Sequence, residues 1–335
     1  MLMYAGLDLL QIKVIFLCKI YKKKRNIFMF DRSKTIFPEQ IRCAAVISPA
    51  GTAAPAAVSQ AVKMLEKHLT VKNYITQPTA DTPQYLAGLP EQRAELFNRA
   101  VNDSEVDLIL ALRGGFGSVH ILHKLDYDTL RNRNLPVMGY SDITSLHCAM
   151  LAKNAGVPIA GSNLMQLEEV VKDDLSFSSH KLALQKNISK TVLAAPAIKA
   201  VNELAATQKV SGKAYAANLT VLASLCGTEF MPDFSNRILI IEDVNEPVYK
   251  LDRLLHQLYL SGVLKDLQAL VFGRFTGEEN SPEVLEKLFT SFSAQLPCPC
   301  YKDFAFGHEF PMIAVNSNHT LILQADKAPA FSIES

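Results

Sequence analysis

The feature that most constrains the fold is a regular alternation of apolar runs and amphipathic helical segments that begins after Pro38. Residues 41–47 form an apolar run, and from Pro55 onward apolar residues recur at three- and four-residue steps. Such steps place the apolar side chains on one face of a helix, and proline suits a first helical position. Residues 106–112 are nearly continuously apolar, as a strand buried in a parallel sheet requires. The alternation predicts a doubly wound α/β domain.

The length and the changes of pattern along the chain predict more than one domain. The chain has 335 residues, of which 49% are hydrophobic and 20% charged, which is enough for two domains with full cores. The apolar alternation is lost between about residues 165 and 209. We therefore predict four segments: a leader at 1–38, an N-terminal α/β domain at 39–165, an interdomain connection at 166–209, and a C-terminal domain at 210–335.

The predicted leader differs in character from the rest of the chain. An apolar stretch at 14–18 precedes a basic run at 22–25, which is the reverse of the order in a secretory signal. The stretch is also far shorter than the roughly 20 apolar residues of a membrane span. The segment is interpreted as disordered, or as an upstream extension of a chain that naturally begins at Met29. A membrane-surface anchor is the alternative.

Charge and cysteine content exclude several classes of protein. Lys and Arg total 34 against 33 Asp and Glu, so no broad basic surface for nucleic acid is predicted. The six cysteines form no CxxC pair, which predicts neither a zinc site nor a disulfide framework and fits a reducing cytoplasm. A peptide or small molecule is the expected ligand, with no metal, no cofactor and no membrane span.

A glycine-rich turn between a predicted strand and an apolar helix carries the first chemical signal. The sequence Arg113-Gly-Gly-Phe-Gly-Ser118 follows the strand at 106–112, so Ser118 would lie at the carboxyl edge of the sheet, where doubly wound folds bind ligands. Such a serine could be a nucleophile with a stabilised oxyanion. The turn matches neither the GxGxxG nor the P-loop nucleotide-binding motif. It also differs from the GxSxG nucleophile elbow, because His120 stands where that motif has its last glycine. Taken alone, the local pattern favours a helix cap or a nucleotide-binding loop at Ser118 over a nucleophile.

Several motifs in the correct order resemble those of the LD-carboxypeptidase family, which also contains the microcin-immunity peptidases. They are Tyr85-Leu-Ala-Gly-Leu-Pro-Glu-Gln-Arg93, Arg113-Gly-Gly-Phe-Gly-Ser118, Gly139-Tyr-Ser-Asp-Ile-Thr144, Ile240-Ile-Glu242-Asp-Val with Tyr249 and Asp252-Arg253, and Phe306-Gly307-His308. The resemblance covers nearly everything from residue 41 to the C-terminus. Two segments depart from the family pattern, namely Ala160-Gly161-Ser162 and Ala216-Ala217-Asn218-Leu219, which leaves the shape of the pocket less defined than the mechanism.

The resemblance implies a catalytic triad of Ser118 as nucleophile, His308 as general base and then acid, and Glu242 as the carboxylate that orients the imidazole. The set is chemically consistent, because a serine hydroxyl needs a neighbouring base and the imidazole needs an acceptor on its other nitrogen. The backbone N–H of Val119, which follows the predicted nucleophile, is the expected oxyanion donor, with the turn at Gly88 as the second.

Other residues of the motifs receive supporting roles. Arg113 and Tyr140 are candidates for the substrate pocket. Arg113, Ser141 and Asp142 are expected to stabilise the loops around the site rather than to take part in the chemistry.

The resemblance also implies a fold and an activity. The expected fold is an N-terminal flavodoxin-like, class I amidotransferase-like parallel-sheet domain plus a C-terminal swivelling β/β/α-type domain, with the site in the cleft between them and a homodimeric assembly. The expected activity is that of a serine carboxypeptidase that releases terminal D-alanine from murein tetrapeptide during peptidoglycan recycling. Alternatives are a microcin-immunity-type peptidase acting on an aminoacyl-nucleotide amide and a non-enzymatic nucleotide-binding protein. The absence of tryptophan disfavours a stacking platform for a base.

Overall fold

The computed structural model of the protein describes residues 35–278 and 280–332. The predicted leader lies outside the described residues as far as residue 34. Two residues near its predicted end, Ile36 and Phe37, are described, and they are buried in the core at 2% and 5% exposure. Both side chains pack in one apolar cluster with Val46 and Leu110, so they are part of the core, while the predicted end of the leader at residue 38 stays a prediction.

The strands alternate with helices along most of the chain. The strands are β1 (Cys43–Ile47), β2 (Thr70–Tyr74), β3 (Leu108–Ala111), β4 (Pro136–Gly139), β5 (Val157–Ala160), β6 (Thr191–Val192), β7 (Lys199–Ala200), β8 (Val210–Asn218), β9 (Ile238–Val244), β10 (Ala269–Thr276), β11 (Cys300–Lys302), β12 (Val315–Asn316), β13 (Thr320–Leu323) and β14 (Ala330–Ser332). The helices are α1 (Pro55–Leu65), α2 (Pro90–Asn102), α3 (Tyr127–Arg133), α4 (Ile143–Ala152), α5 (Leu167–Lys172), α6 (Asp174–Ala183), α7 (Glu203–Thr207), α8 (Leu219–Ser224), α9 (Val248–Leu260) and α10 (Pro282–Ser293).

The first sheet has the strand order β12-β5-β4-β3-β1-β2. Its strands β1 to β5 are all parallel, and β12 is antiparallel at one edge. The residues of β1 and β3 are all buried, because helices cover both faces of such a sheet. The predicted α/β fold with a parallel sheet is confirmed.

The second sheet has the order β6-β14-β13-β8-β9-β10-β11-β7, with a parallel centre from β8 to β11. Its two edge strands, β6 and β7, come from the predicted interdomain connection. The segment between the two predicted domains is thus partly built into the second sheet, while the boundaries of the four segments stay a prediction. None of the helices formed by the described residues is long and apolar enough to cross a membrane.

The strand order determines where the polar side chains of the two sheets lie. In the first sheet, β3 and β4 are adjacent and parallel, so the turns after them lie side by side. In the second sheet, β9 pairs with both β8 and β10, which places the middle of β9 in the centre of the sheet. Ser141 follows β4, and Glu242 lies in β9.

Candidate active site

A strained turn between β4 and α4 presents Ser141. The strand ends at Gly139, the helix begins at Ile143, and Ser141 between them has φ of 65°. This left-handed backbone is uncommon for a residue with a side chain. Strain of this kind collects at functional sites, and a serine on a sharp strand-to-helix turn has its hydroxyl exposed at the carboxyl edge of the sheet. The local geometry thus marks Ser141 as a candidate nucleophile.

A chain of hydrogen bonds joins Ser141, His308 and Glu242. The Ser141 Oγ lies 3.1 Å from His308 Nε2, and His308 Nδ1 lies 2.9 Å from Glu242 Oε2. Because a carboxylate only accepts, Nδ1 carries the proton toward Glu242, and neutral Nε2 is left to accept the proton of the hydroxyl. This is the relation of nucleophile, base and orienting acid that acyl-transfer catalysis uses.

Glu242 lies within β9 and is fully buried at 0% exposure. Its second oxygen, Oε1, accepts a hydrogen bond of 3.1 Å from Asn218 Nδ2. The backbone N–H of Asn218 in turn donates to Thr144 Oγ1 at 3.0 Å. Thr144 belongs to α4, so this path connects the helix behind Ser141 with the carboxylate that faces His308. Both oxygens of the buried Glu242 therefore have partners, as a buried charge requires.

The loop that carries His308 is fixed on both sides. At Gly307, where φ is 148°, an added Cβ would lie 3.0 Å from Arg274 Cβ and 3.4 Å from Glu242 Oε2, so a side chain there would crowd the site. The Arg274 guanidinium donates to the carbonyl of Glu309 and, at 2.6 Å, to that of Pro311. The imidazole is thereby held in place against Glu242.

The electrostatic surroundings keep His308 a stronger base than an ordinary histidine. Burial alone would lower the pKa of His308, but the hydrogen bond to Glu242 and the charges of Glu242 and Asp243 outweigh it, so the pKa is raised. The ring of Tyr140 lies 5.0 Å from the His308 ring, centroid to centroid. Burial raises the pKa of Tyr140 to about 12, so its phenol stays neutral beside the imidazole at neutral pH.

The structure corrects the expectation for Ser118. Its side chain is fully buried, and its Oγ lies 2.6 Å from the carbonyl of Asp142 and 2.5 Å from Ser145 Oγ. Its backbone N–H donates to Asp142 Oδ2 at 2.8 Å. The hydroxyl paired with His308 is that of Ser141, so the prediction that Ser118 meets His308 and Glu242 is wrong. The physical reason is that the Ser118 hydroxyl turns inward and fastens the glycine-rich turn to the start of α4.

The glycine-rich turn lies directly against Ser141. A Cβ added at Gly114 would be 2.8 Å from Ser141 Cβ and 2.9 Å from its Oγ, so only glycine fits. The predicted oxyanion donors lie elsewhere in the turn region. Val119 belongs to the short 3-10 helix Ser118–Lys124, and Gly88 packs against Thr76. No hydrogen bond within the described residues joins Val119 or Gly88 to the pair of Ser141 and His308. The role predicted for Val119 depended on Ser118 as the nucleophile, and the role predicted for Gly88 stays a prediction.

Of the two predicted pocket residues, Tyr140 lies beside His308, and Arg113 directly precedes Gly114, whose backbone lies against Ser141. Arg113 is exposed, and its Nη1 donates to the Thr52 carbonyl at 2.9 Å. Its positive charge acts to lower the pKa of Tyr140, against the larger effect of burial. Within residues 35–278 and 280–332, no group of three or more His, Cys, Asp or Glu side chains could hold a metal ion.

Sequence reasoning missed the roles of Ser141 and Asn218, although both lie in motifs that it singled out. The strand β4 ends at Gly139 and the helix α4 begins at Ile143, which leaves only residues 140–142 for the connection. A serine in so short a strand-to-helix turn, at a central parallel strand, is the signal that could have identified Ser141. Asn218 had no comparable signal, because its partners Thr144 and Glu242 are distant in sequence.

The fold and the site together define a class of protein: a two-sheet α/β protein with the hydroxyl, imidazole and carboxylate arrangement of acyl-transfer hydrolases. Residues 44–161 match the model of the LD-carboxypeptidase N-terminal domain, and residues 211–323 match that of the LD-carboxypeptidase C-terminal domain. The chain belongs to the LD-carboxypeptidase family, and it is therefore a peptidase of the carboxypeptidase kind.

Individual relatives agree with this placement. The chain is 29% identical to the murein tetrapeptide carboxypeptidase of Pseudomonas aeruginosa, over 84% of this chain and 93% of that protein. It is 26% identical to the microcin C7 self-immunity protein MccF of Escherichia coli, over 74% of this chain and 80% of that protein. The crystal structure of muramoyltetrapeptide carboxypeptidase from Oxalobacter formigenes has the same fold, with a TM-score of 0.73 and 24% identity, covering 86% of this chain and 97% of that one.

Proposed function

We propose that the protein is a serine carboxypeptidase in which Ser141 is the nucleophile, His308 the general base and then acid, and Glu242 the carboxylate that orients the imidazole. The observation that carries this proposal is the continuous pair of contacts, 3.1 Å from Ser141 Oγ to His308 Nε2 and 2.9 Å from His308 Nδ1 to Glu242 Oε2. A hydroxyl held by a base that is itself oriented by a buried acid is the general signature of an activated nucleophile.

The reaction follows from these positions. The Ser141 Oγ attacks the carbonyl carbon of the peptide bond before the terminal residue, and its proton passes to His308 Nε2. The imidazolium that forms is stabilised by Glu242. His308 then gives the proton to the leaving amine, which releases the terminal amino acid and leaves an acyl group on Ser141. A water molecule, deprotonated by His308, hydrolyses this ester and restores the free hydroxyl.

The oxyanion of the tetrahedral intermediate needs donors beside Ser141. The backbone N–H of Asp142 directly follows the nucleophile at the start of α4, where helix N–H groups lack partners within the helix. The backbone of Gly114 packs against Ser141, since a Cβ added at Gly114 would lie 2.9 Å from Ser141 Oγ, so we propose the glycine-rich turn as the source of a second N–H. We propose these groups in place of Val119 and Gly88.

The proposed substrate is the murein tetrapeptide L-Ala-γ-D-Glu-meso-diaminopimelyl-D-Ala, cleaved at its L–D bond during peptidoglycan recycling. Support comes from the name of the Pseudomonas relative, which shares more sequence over more of this chain than the immunity protein does. The chain has no Trp, so any base-stacking platform would have to use Tyr or Phe. A cytoplasmic location and a homodimeric state belong to the same proposal.

Purified protein is expected to release D-alanine from this tetrapeptide without added metal, and to act weakly on the same peptide ending in L-alanine. The measurement is amino-acid release from both peptides and from an aminoacyl-nucleotide conjugate, each at equal concentration. Turnover of the conjugate alone would contradict the murein proposal and move the protein to the immunity branch.

A further inference from the structure

We propose that Arg113 binds the free carboxylate of the substrate's terminal residue and so makes the enzyme an exopeptidase. This inference rests on the proposed function, because it concerns the same site and the same peptide bond. Arg113 is exposed at the mouth of the site, and it precedes the glycine whose backbone lies against Ser141.

The position of Arg113 is set by close backbone packing. A Cβ added at Gly51 would lie 3.0 Å from the Gly114 carbonyl and 3.6 Å from Arg113 Nε. The Arg113 side chain therefore packs against Gly51, in the turn that follows β1. The Gly51 N–H also donates to the Gly114 carbonyl at 3.2 Å. These contacts fix the backbone at Gly114, which lies against Ser141, and so fix the position of Arg113 next to it.

The guanidinium of Arg113 makes fewer hydrogen bonds to the protein than those of Arg93 and Arg274. Arg93, behind the glycine-rich turn, is buried and donates to the carbonyls of Pro49, Gly88 and Gly117. Arg274 donates to carbonyls of the His308 loop, as described above. Arg113 makes one hydrogen bond within the described residues, from Nη1 to the Thr52 carbonyl, and its side chain is exposed. A guanidinium has five donors, so a carboxylate can be accepted in bidentate fashion.

A carboxypeptidase holds the terminal carboxylate of its substrate close to the nucleophile, and a guanidinium is a suitable partner for it. In the substrate, only the amide nitrogen and one Cα separate the carbonyl carbon attacked by Ser141 from the terminal carboxyl carbon, a span of roughly 4 Å at most. The terminal carboxylate must therefore lie beside the nucleophile's own neighbours. Arg113 is also near enough to Tyr140, whose ring lies 5.0 Å from that of His308, for its charge to act to lower the pKa of Tyr140.

The test crosses two substrates with two enzymes. The tetrapeptide ending in D-alanine is compared with the same peptide ending in D-alaninamide, in wild type and in Arg113→Gln, by measuring kcat and KM for release of the terminal group. Wild type is expected to prefer the acid by about 10- to 100-fold in kcat/KM, the value of a hydrogen bond to a charged group. In Arg113→Gln this preference is expected to fall to within about threefold, mainly through a higher KM for the acid. Arg113→Lys is expected to restore part of it.

Arg131→Gln provides the matched control, because Arg131 is an exposed arginine on α3 that pairs with Asp128. It is expected to keep the full preference for the acid. An undiminished preference in Arg113→Gln, with D-alanine still released by wild type, would overturn the role of Arg113 and leave the proposed function standing. Failure of wild type to release either terminal group would overturn both.

Discussion

Replacing Ser141 by alanine is expected to lower kcat/KM for D-alanine release by about 1000-fold or more, because the members of a catalytic triad act as a unit and the hydroxyl is the attacking group. Replacing Ser118 by alanine is expected to keep activity within about tenfold of wild type, a change of about 1.4 kcal/mol in transition-state stabilisation. The measurement is kcat/KM for both variants on the tetrapeptide, beside thermal melting curves.

The difference follows from where the two hydroxyls point. Ser141 Oγ faces His308 Nε2, whereas Ser118 Oγ bonds inward to Asp142 and Ser145. The Ser118→Ala variant loses these buried hydrogen bonds, so its free energy of unfolding should fall by about 1–3 kcal/mol. Its backbone N–H still reaches Asp142 Oδ2, which keeps the glycine-rich turn in place. A large loss of activity in Ser118→Ala with a normal melting curve, together with an active Ser141→Ala, would contradict this assignment.

Replacing Glu242 by glutamine is expected to lower kcat by about 100- to 10,000-fold, since the imidazolium then loses its negative partner. It should also move the acidic limb of the pH profile. In wild type the pKa of His308 is raised above the ordinary histidine value of about 6.5. As the pH falls, the imidazole is therefore protonated, and lost as a base, earlier than an ordinary histidine would be. Without the charge of Glu242 the pKa falls, and the acidic limb should shift to lower pH.

The measurement is the pH dependence of kcat/KM, which reports the ionisation of the free enzyme. Asp243→Asn is the matched control, because Asp243 contributes charge to His308 but its oxygens bond Thr220, Asn218 and the Val244 N–H instead. It should shift the limb in the same direction by a smaller amount. An acidic limb that stays in place in Glu242→Gln would contradict the assigned role of Glu242.

The alternation of strands and helices was predictable from local pattern. A continuous apolar run such as residues 106–112 is typical of a strand buried on both faces or of a buried helix. The glycine-rich turn that follows favoured the strand, which is β3. Local pattern does not set where a strand ends in space: β9 continues past Glu242 to Val244, so Glu242 lies within the sheet rather than at its end.

The family motifs did not identify the hydroxyl beside His308, although the short turn between β4 and α4 carried a signal for Ser141. Ser118 and Ser141 both follow strands that lie next to each other, and both stand in motifs of the family. Their difference is the direction of the side chain, which depends on the φ of 65° at Ser141 and on the partners of Ser118 in α4. His308 is 167 residues from Ser141, so only the packing of the two sheets brings them together. Tertiary contact therefore identifies Ser141, rather than the predicted Ser118, as the serine that faces His308.

The most direct test is labelling with a serine-directed fluorophosphonate followed by tryptic digestion and mass mapping. Ser118 and Ser141 fall in separate tryptic peptides, residues 114–124 and 134–153, and fragmentation separates Ser141 from Ser145 in the second. We expect a single adduct on Ser141 that is lost in His308→Ala, because the hydroxyl then has no base. An adduct on Ser118, with Ser141 unmodified, would contradict the central claim.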